Sequence, residues 1–241
     1  MKIRVTLLGL LWTAVTLTDL HGQSNDHVQE SRYKSFRVLI ISPDTARIHN
    51  ELTVYVDSIE QEFKDSFYKM LREFEIKRNS GDEDEKEQTE AAIRQAKWHE
   101  TDIVRFRYYQ MISVATFVSL QEDFQKYPWE DKKSLDCQIV NKNDLETEDL
   151  VQLTKDYDFD YVIYFRDIVA EKYADSFIMD MTTYLFSRAD SKVIMKRKAS
   201  KEGEPFFCEL YRQNLLECMM TRVANEATSD LFGVLSERQK K

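Results

Sequence analysis

Three aspartates at Asp156, Asp158 and Asp160 have the alternating spacing of metal ligands. A calcium-binding loop begins with this spacing, but it also needs glycine at its sixth position and a bidentate acid at its twelfth. Here those positions hold Tyr161 and Asp167, and an apolar run begins at Tyr161 itself. We therefore interpret the aspartates as the polar approach to a strand and predict no metal ligands.

Residues for nucleophilic or zinc chemistry are few. His99 precedes Glu100, but the second histidine of a zinc-hydrolase motif is absent. A cysteine–histidine pair would have to bring Cys137 beside His49 or His99 in space, which sequence spacing does not indicate. Glycoside hydrolysis needs two carboxyl groups at a defined distance. With 43 acidic residues many such pairs can be chosen, so the sequence alone does not predict a glycosidase site. We predict no catalytic residues, so the chain is more consistent with a binding protein than with an enzyme.

Glycine content and net charge exclude two further classes. The chain has five dispersed glycines, and neither a P-loop nor a dinucleotide-binding fingerprint occurs, so we predict no cofactor. Acidic residues exceed basic ones by 43 to 34, and the net charge is −9. The only basic cluster is at residues 196–198. Because nucleic-acid binding needs a concentrated basic surface, we predict no nucleic-acid partner.

The first residues have the layout of a secretory signal. Lys2 and Arg4 precede an apolar stretch at residues 5–17, and we predict cleavage between Gly22 and Gln23. An uncleaved membrane anchor is the alternative, but the apolar run is shorter than the roughly 20 residues that a span needs. We expect an exported protein, in the periplasm first and outside the cell second, with no transmembrane span after signal removal.

Export would place all three cysteines in an oxidising compartment, where one pair can form a disulfide and leave one thiol free. Cys208 and Cys218 are the nearest pair in sequence and flank the predicted start of the last helix, so they are the candidate disulfide. Three buried free thiols, including Cys137, are the alternative. The sequence leaves both open, because pairing depends on geometry.

The first half of the chain reads as a strand, a helix and a helical middle. Residues 36–41 are a buried strand ending at a Ser-Pro-Asp turn. Apolar steps of three and four then predict a helix that begins at Asp57 or Ser58 and is ended by Asn79-Ser80-Gly81. Residues 87–126 lack glycine and proline, which favours long helices. The β-branched residues at 111–118 leave a strand open as the alternative there.

The second half is richer in strands. A short strand at 135–140 precedes a helix that we predict to be capped by Asn143 or Asp144 and to end near Asp156. Three strands follow, and then an amphipathic helix over about 209–236; the predicted strands are 161–165, 177–186 and 192–199. The first of these three is apolar at five successive positions, which is typical of a strand covered on both faces.

Residues 144–235 resemble the periplasmic α/β module of the TolB N-terminal domain and related envelope lipoproteins. The matching motifs are Phe-Asp-Tyr-Val-Ile-Tyr at 159–164 and Tyr-Leu-Phe-Ser-Arg-Ala-Asp-Ser-Lys-Val-Ile at 184–194, followed by the helix to Leu235. Phe165 and Met195 stand where the family has a glycine and a tryptophan, and the turn lacks its glycine. The resemblance implies protein interaction or assembly in the envelope and carries no catalytic residues.

These observations predict an α/β (α+β) protein with a mixed β-sheet, a C-terminal ββα unit and a helical insertion at about 82–127 after the first βα. The predicted organisation is a signal peptide at 1–22, a polar spacer at 23–34 and a single domain at 35–241. We expect a non-catalytic envelope protein that binds a protein partner or supports envelope assembly. A secreted hydrolase or small-ligand carrier with dispersed site residues is the alternative.

The signal-peptide hypothesis predicts the N-terminus of the mature protein. Intact-mass measurement of the chain recovered from its native envelope fraction should give the mass of a polypeptide beginning at Gln23. A chain that retains Met1 and residues 5–17 would contradict cleavage and favour the uncleaved anchor.

Overall fold

The computed structural model describes residues 35–80, 83–128, 134–203, 208 and 214–238. The predicted signal, the cleavage pair Gly22 and Gln23, and the polar spacer lie outside the described residues. The described chain divides into two compact units. One is Val56–Tyr108, and the other comprises the remaining described residues. The prediction of a single domain at 35–241 stays a prediction.

The first unit is a pair of helices, α1 (Val56–Ser80) and α2 (Glu83–Val104). They pack antiparallel, because residues just beyond the end of α2 meet the beginning of α1. The rings of Phe63 and Phe106 stack with centroids 3.7 Å apart. The Glu60 carboxylate accepts hydrogen bonds from Arg107 at 3.3 Å and from the backbone N–H of Tyr108 at 3.2 Å. These contacts fix the register of the two helices.

The second unit is built on a six-stranded mixed sheet. Its strands are β1 (Ser35–Ser42), β2 (Arg47–Ile48), β3 (Ser134–Asn141), β4 (Tyr161–Tyr173), β5 (Ser176–Ser187) and β6 (Lys192–Gly203). The order across the sheet is β3-β1-β4-β5-β6, and the short β2 pairs with β4. β1 is parallel to both β3 and β4, whereas β4, β5 and β6 form an antiparallel meander.

Helices cover both faces of this sheet. They are α3 (Met111–Lys126), α4 (Leu150–Asp156) and α5 (Leu215–Arg238). The long helices α3 and α5 contact each other and pack on one face, where α3 lies against β1 and β3 and α5 lies against β5 and β6. The short helix α4 covers part of the other face. Single 3-10 turns occupy Asn50–Tyr55, Tyr108–Gln110 and Lys142–Asp144.

The core is centred on β1, which is apolar on both faces. Val38 and Ile40 are fully buried on the side of α3, where the ring of Phe36 meets Phe124 with centroids 5.5 Å apart. On the opposite side Leu39 belongs to a cluster with Leu153 of α4, and this cluster continues onto β4 and β5. A strand buried on both faces needs apolar residues at successive positions, which explains the sequence of β1.

The predicted fold class is confirmed: the sheet is mixed, and helices accompany it. The strand alternative for residues 111–118 is wrong, because that segment is the first half of α3. All eight of its residues are buried. Their side chains are enclosed by the sheet and by α5, so tertiary packing outweighs the β-propensity of the valine, isoleucine and threonine side chains.

The predicted cap of the next helix is also wrong. Asn143 and Asp144 lie in the 3-10 turn, and the chain is extended at Leu145 with ψ 132°. Helix α4 begins at Leu150, and the Asp149 carboxylate accepts hydrogen bonds from the N–H groups of Val151 at 2.8 Å and Gln152 at 3.1 Å. Asp149 can satisfy two otherwise unpaired helix donors, so it is the stronger cap.

Within the described ranges, no helix combines the length and the apolar content that crossing a membrane requires.

Two glycines of this unit should respond oppositely to substitution by alanine. A Cβ at Gly203 would lie 2.8 Å from Met219 Sδ and 2.9 Å from Leu215 Cδ1, so Gly203→Ala should lower the free energy of unfolding by about 1 kcal/mol. Gly233 lies inside α5 with nothing within 4 Å of such a Cβ. Gly233→Ala should raise the same quantity by about 1 kcal/mol.

Urea denaturation of the two variants measures both effects, and Gly233→Ala serves as the control for a generic alanine effect. A shift of both midpoints in the same direction would contradict the close approach of β6 to α5.

Candidate functional site

A cleft opens at the carboxyl ends of the parallel strands β1 and β3, beside the middle of β4. The chain leaving β1 reaches β3 through α3 on one face of the sheet, and the chain leaving β3 reaches β4 through α4 on the other. Connections that part to opposite faces leave a crevice between them, where α/β proteins bind ligands. The crevice has a volume of about 760 Å³, which is within the range of small-ligand and side-chain pockets.

The cleft has an apolar floor and a charged rim. Residues of the floor belong to, or pack against, the core cluster beneath α4; they are Ile41, Leu145, Leu150, Leu153 and Tyr164. The rim is polar and contains charges of both signs; its charged members are Asp44, Arg47, Lys142, Glu148, Arg166 and Asp167. No histidine or cysteine is among the described residues that line the cleft. This arrangement suits a partly apolar ligand with polar ends.

Ion pairs neutralise one side of the rim. The Lys142 ammonium lies 3.0 Å from the Asp44 carboxylate and 3.8 Å from that of Glu148. The hydrogen bond to Asp44 raises the pKa of Lys142 above its usual value. A lysine acting as a base or nucleophile needs a lowered pKa. Lys142 therefore stays protonated and serves to hold the loop after β1 against the loop after β3.

A bulge in β4 forms the opposite side of the rim. The pairing of β4 with β5 shifts register between Arg166 and Val169. Asp167, inside the bulge, has a φ of 53°, a left-handed conformation that aspartate tolerates better than most residues. Bulges redirect side chains at the edges of sites. Here both Arg166 and Asp167 are exposed and line the cleft.

A row of aromatic and cationic side chains leads from this bulge across the sheet. Tyr164 of β4 and Tyr184 of β5 are paired across the strands, and their rings stack at 4.8 Å with an interplanar angle of 5°. The Arg166 guanidinium lies 5.8 Å from the Tyr164 ring centroid, and the Lys196 ammonium of β6 lies 5.5 Å from that of Tyr184. We call Arg166, Tyr164, Tyr184 and Lys196 the basic tyrosine row.

Tyr164 of the row is neutral at physiological pH. Burial raises the pKa of Tyr164, and the charge of Arg166 only partly opposes this effect. A neutral ring presents a negative face, which attracts the cation lying over it. The two cations therefore lie against the two rings of the stacked tyrosine pair, and their charged groups can also contact a ligand.

Among the described residues, the cations of the row have no acidic partner, unlike their neighbours. Lys198, on the same strand as Lys196, lies 2.7 Å from the Asp180 carboxylate, and Arg197 lies 2.6 Å from that of Asp230. Within the described part of the chain, neither Arg166 nor Lys196 is in contact with a carboxylate. The row is therefore a small positive surface on an acidic protein.

The aspartate run considered for calcium forms a different structure at the other end of the parallel strands. The Arg37 guanidinium donates two hydrogen bonds to Asp160, at 2.9 and 3.1 Å, and a further one to Asp158. Arg188 also donates to Asp158 at 3.0 Å. Among the described residues, no group of three or more histidine, cysteine and acidic side chains is arranged to hold a metal ion. The aspartates join β1 to the β5–β6 turn.

The histidines and cysteines considered for nucleophilic chemistry are dispersed. Cys137 is buried in β3, and burial raises the pKa of its thiol. The ring of His49 packs near Phe177 at 5.7 Å, and its Nδ1 accepts a hydrogen bond from the backbone N–H of Glu51 at 3.3 Å. The side chain of His99 lies outside what the structure describes. A buried thiol with a raised pKa is a poor nucleophile.

Cys208 and Cys218 lie next to each other at the beginning of α5. Their Cα atoms are 5.6 Å apart and their sulfur atoms are joined, which is within the range that a disulfide spans. Oxidation of this pair in the native compartment remains a prediction. It would fix the chain preceding α5 onto the second turn of that helix.

Sequence reasoning missed both the cleft and the basic tyrosine row. Tyr164 was interpreted only as part of a buried apolar run, and Lys196 only as part of a short basic cluster. The alternation along β5, which places Tyr184 opposite the face of Leu185, was a usable signal. The pairing of Tyr164 with Tyr184 depends on the β4–β5 register, which residue types alone do not specify.

No family model matches the sequence, and no curated protein matches it. Among solved structures, the chain is similar to a PelC dodecamer subunit from Paraburkholderia phytofirmans, with 8% identity, a TM-score of 0.36 and coverage of 80% of this chain and 85% of that chain. It is also similar to the LpoB C-terminal domain from Escherichia coli, with 12% identity, a TM-score of 0.20 and coverage of 79% and 97%. At these TM-scores we draw no argument from either likeness.

Cysteine accessibility tests this account of the thiols. Because Cys137 is buried with a raised pKa, the native protein should react with iodoacetamide at none of its cysteines within minutes. The denatured, unreduced protein should react at one cysteine per chain, and the reduced protein at three. Labelling of three thiols without reduction would show that Cys208 and Cys218 are not paired.

Proposed function

We propose that the chain is an exported, non-catalytic protein of the cell envelope that binds a protein partner or supports envelope assembly. The proposed binding site is the cleft at the carboxyl ends of β1 and β3 and the middle of β4, together with the basic tyrosine row. The periplasm is the proposed compartment, and the extracellular space is the second choice.

The observation that carries this proposal is the continuity of the cleft with the row. Tyr164 and Arg166 belong to both, so an apolar pocket leads without interruption onto a flat, positively charged sheet surface. A pocket joined to a flat surface fits a partner that inserts one side chain and lays the rest of a segment across the sheet.

The electrostatics of the cleft support binding over catalysis. Its lysine is held protonated by Asp44, and the buried thiol of Cys137 belongs to β3 and not to the cleft lining. Catalytic acids, bases and nucleophiles need pKa values moved toward neutrality, whereas the pKa of Lys142 is moved away from it. The cleft is therefore equipped to orient a ligand.

A small-ligand carrier is the second candidate, and the cleft volume of about 760 Å³ is the observation that favours it. A carrier should retain its ligand during gentle purification. Native mass spectrometry of the purified chain would then show a bound small molecule, whereas a protein-binding module should show the mass of the polypeptide alone.

Filling the cleft should abolish partner binding. Thr45 is exposed and lines the cleft, so Thr45→Trp places a large ring in the cleft without disturbing the core. The wild-type chain, tagged and expressed in its native envelope, should recover a specific partner after mild cross-linking. Recovery should fall at least about five-fold with Thr45→Trp, since buried contacts at the centre of an interface supply most of its binding energy.

Thr101→Trp is the matched control, because Thr101 is an exposed residue of α2 that does not line the cleft. It should recover the partner as the wild type does, and all three chains should have the same melting temperature. Absence of a specific partner with the wild type, or equal recovery with both variants, would overturn the proposed function.

A further inference from the structure

The residues of the basic tyrosine row indicate the chemistry of the ligand that binds there. This inference rests on the proposed function. The whole chain has a net charge of −9, and the neighbouring cations of β6, Arg197, Lys198 and Lys201, form ion pairs with carboxylates. Among the described residues Arg166 and Lys196 form no ion pair, and both lie over the rings of one tyrosine pair. Two cations kept unneutralised on an acidic surface indicate an anionic ligand.

The separation of the two cations restricts the shape of that ligand. Arg166 is on β4 and Lys196 is on β6, with β5 between them. Two strand intervals correspond to about 10 Å. A single carboxylate or phosphate cannot reach both cations at that spacing, whereas acidic groups distributed along an extended segment can. The segment must cross the sheet, over the tyrosine rings.

The adjoining cleft adds an apolar requirement. Its floor is formed by leucine, isoleucine and tyrosine side chains, and it opens beside Arg166. A purely polar ligand would make no apolar contacts with this floor. Burying an apolar side chain there contributes roughly 1.5–3 kcal/mol to binding. An acidic glycan or nucleic acid has charges but no aliphatic side chain to place in the cleft.

We propose that the occupant is an acidic peptide segment of the protein partner, with a large apolar side chain in the cleft and carboxylates at Arg166 and Lys196. The guanidinium of Arg166 offers paired N–H donors to one carboxylate, and the ammonium of Lys196 attracts a second as a point charge. The stacked rings of Tyr164 and Tyr184 lie between these two contacts. Residues of the segment that face the solvent are unrestricted.

Selection from a random dodecapeptide display library on the immobilised full-length chain tests this proposal. A second selection from the same library uses the site variant, in which Arg166→Gln is combined with Lys196→Gln. The matched control is Lys69→Gln combined with Arg72→Gln, two exposed cations of α1 that are outside the site. Wild type and control should enrich peptides with two or more acidic residues around a phenylalanine, leucine or isoleucine.

The site variant should bind the enriched peptides at least about ten-fold more weakly, and the wild-type affinity should fall as ionic strength rises. Enrichment of basic or uncharged peptides, or equal affinity for the site variant, would overturn the proposal. Binding of phosphatidylglycerol vesicles with the same dependence on Arg166 and Lys196, and with no acidic peptide enriched, would instead assign the site to a lipid surface.

The proposed acidic segment and the proposed binding function can be refuted independently. Loss of partner capture with Thr45→Trp together with no preference for acidic peptides would refute the acidic segment and leave the binding function intact. No partner capture by the wild type would refute the proposed function itself.

Discussion

Burial of β1 between two parallel neighbours is the constraint on which the second unit depends. Parallel strands cannot be joined by a tight turn, so each partner of β1 requires a crossover connection. Because Val38 and Leu39 point to opposite faces and both are fully buried, each face must also be covered by helices. The connections through α3 and α4 meet both requirements at once. They pass on opposite faces of the sheet, and the space between them is the cleft at the carboxyl ends of β1 and β3.

The antiparallel half of the sheet has a different role. β5 and β6 continue the sheet beyond α4, and within the described ranges Tyr164, Tyr184 and Lys196 on that face are at least partly exposed. The tyrosine pair and its two cations lie there, next to the cleft. On the opposite face the same strands pack against α5, where Arg197 is paired with Asp230 and Met181 is fully buried. One side of the meander thus stabilises the fold, and the other is free to bind.

Much of the fold follows from the sequence, and most of the site does not. Apolar runs and periodicity located most long strands and helices, because burial imposes local patterns such as that of residues 36–41. The second half of β4, residues 166–173, was missed because it lacks an apolar run. Local reasoning failed where distant packing decides, as at residues 111–118, and where two caps compete, as at Asp144 and Asp149. The site was missed because Arg166, Tyr184 and Lys196 meet only through strand register and a bulge. No local pattern encodes that meeting.

The most direct measurement of the central claim is site-specific photo-cross-linking in the native envelope. A photoreactive phenylalanine analogue would replace Tyr184, in the row, or Tyr173, which is 63% exposed at the far end of β4. The account predicts a cross-link to one protein from position 184 and none from position 173. A protein cross-link from 173 alone, or none from 184, would contradict the assignment of the cleft and the basic tyrosine row as the binding site.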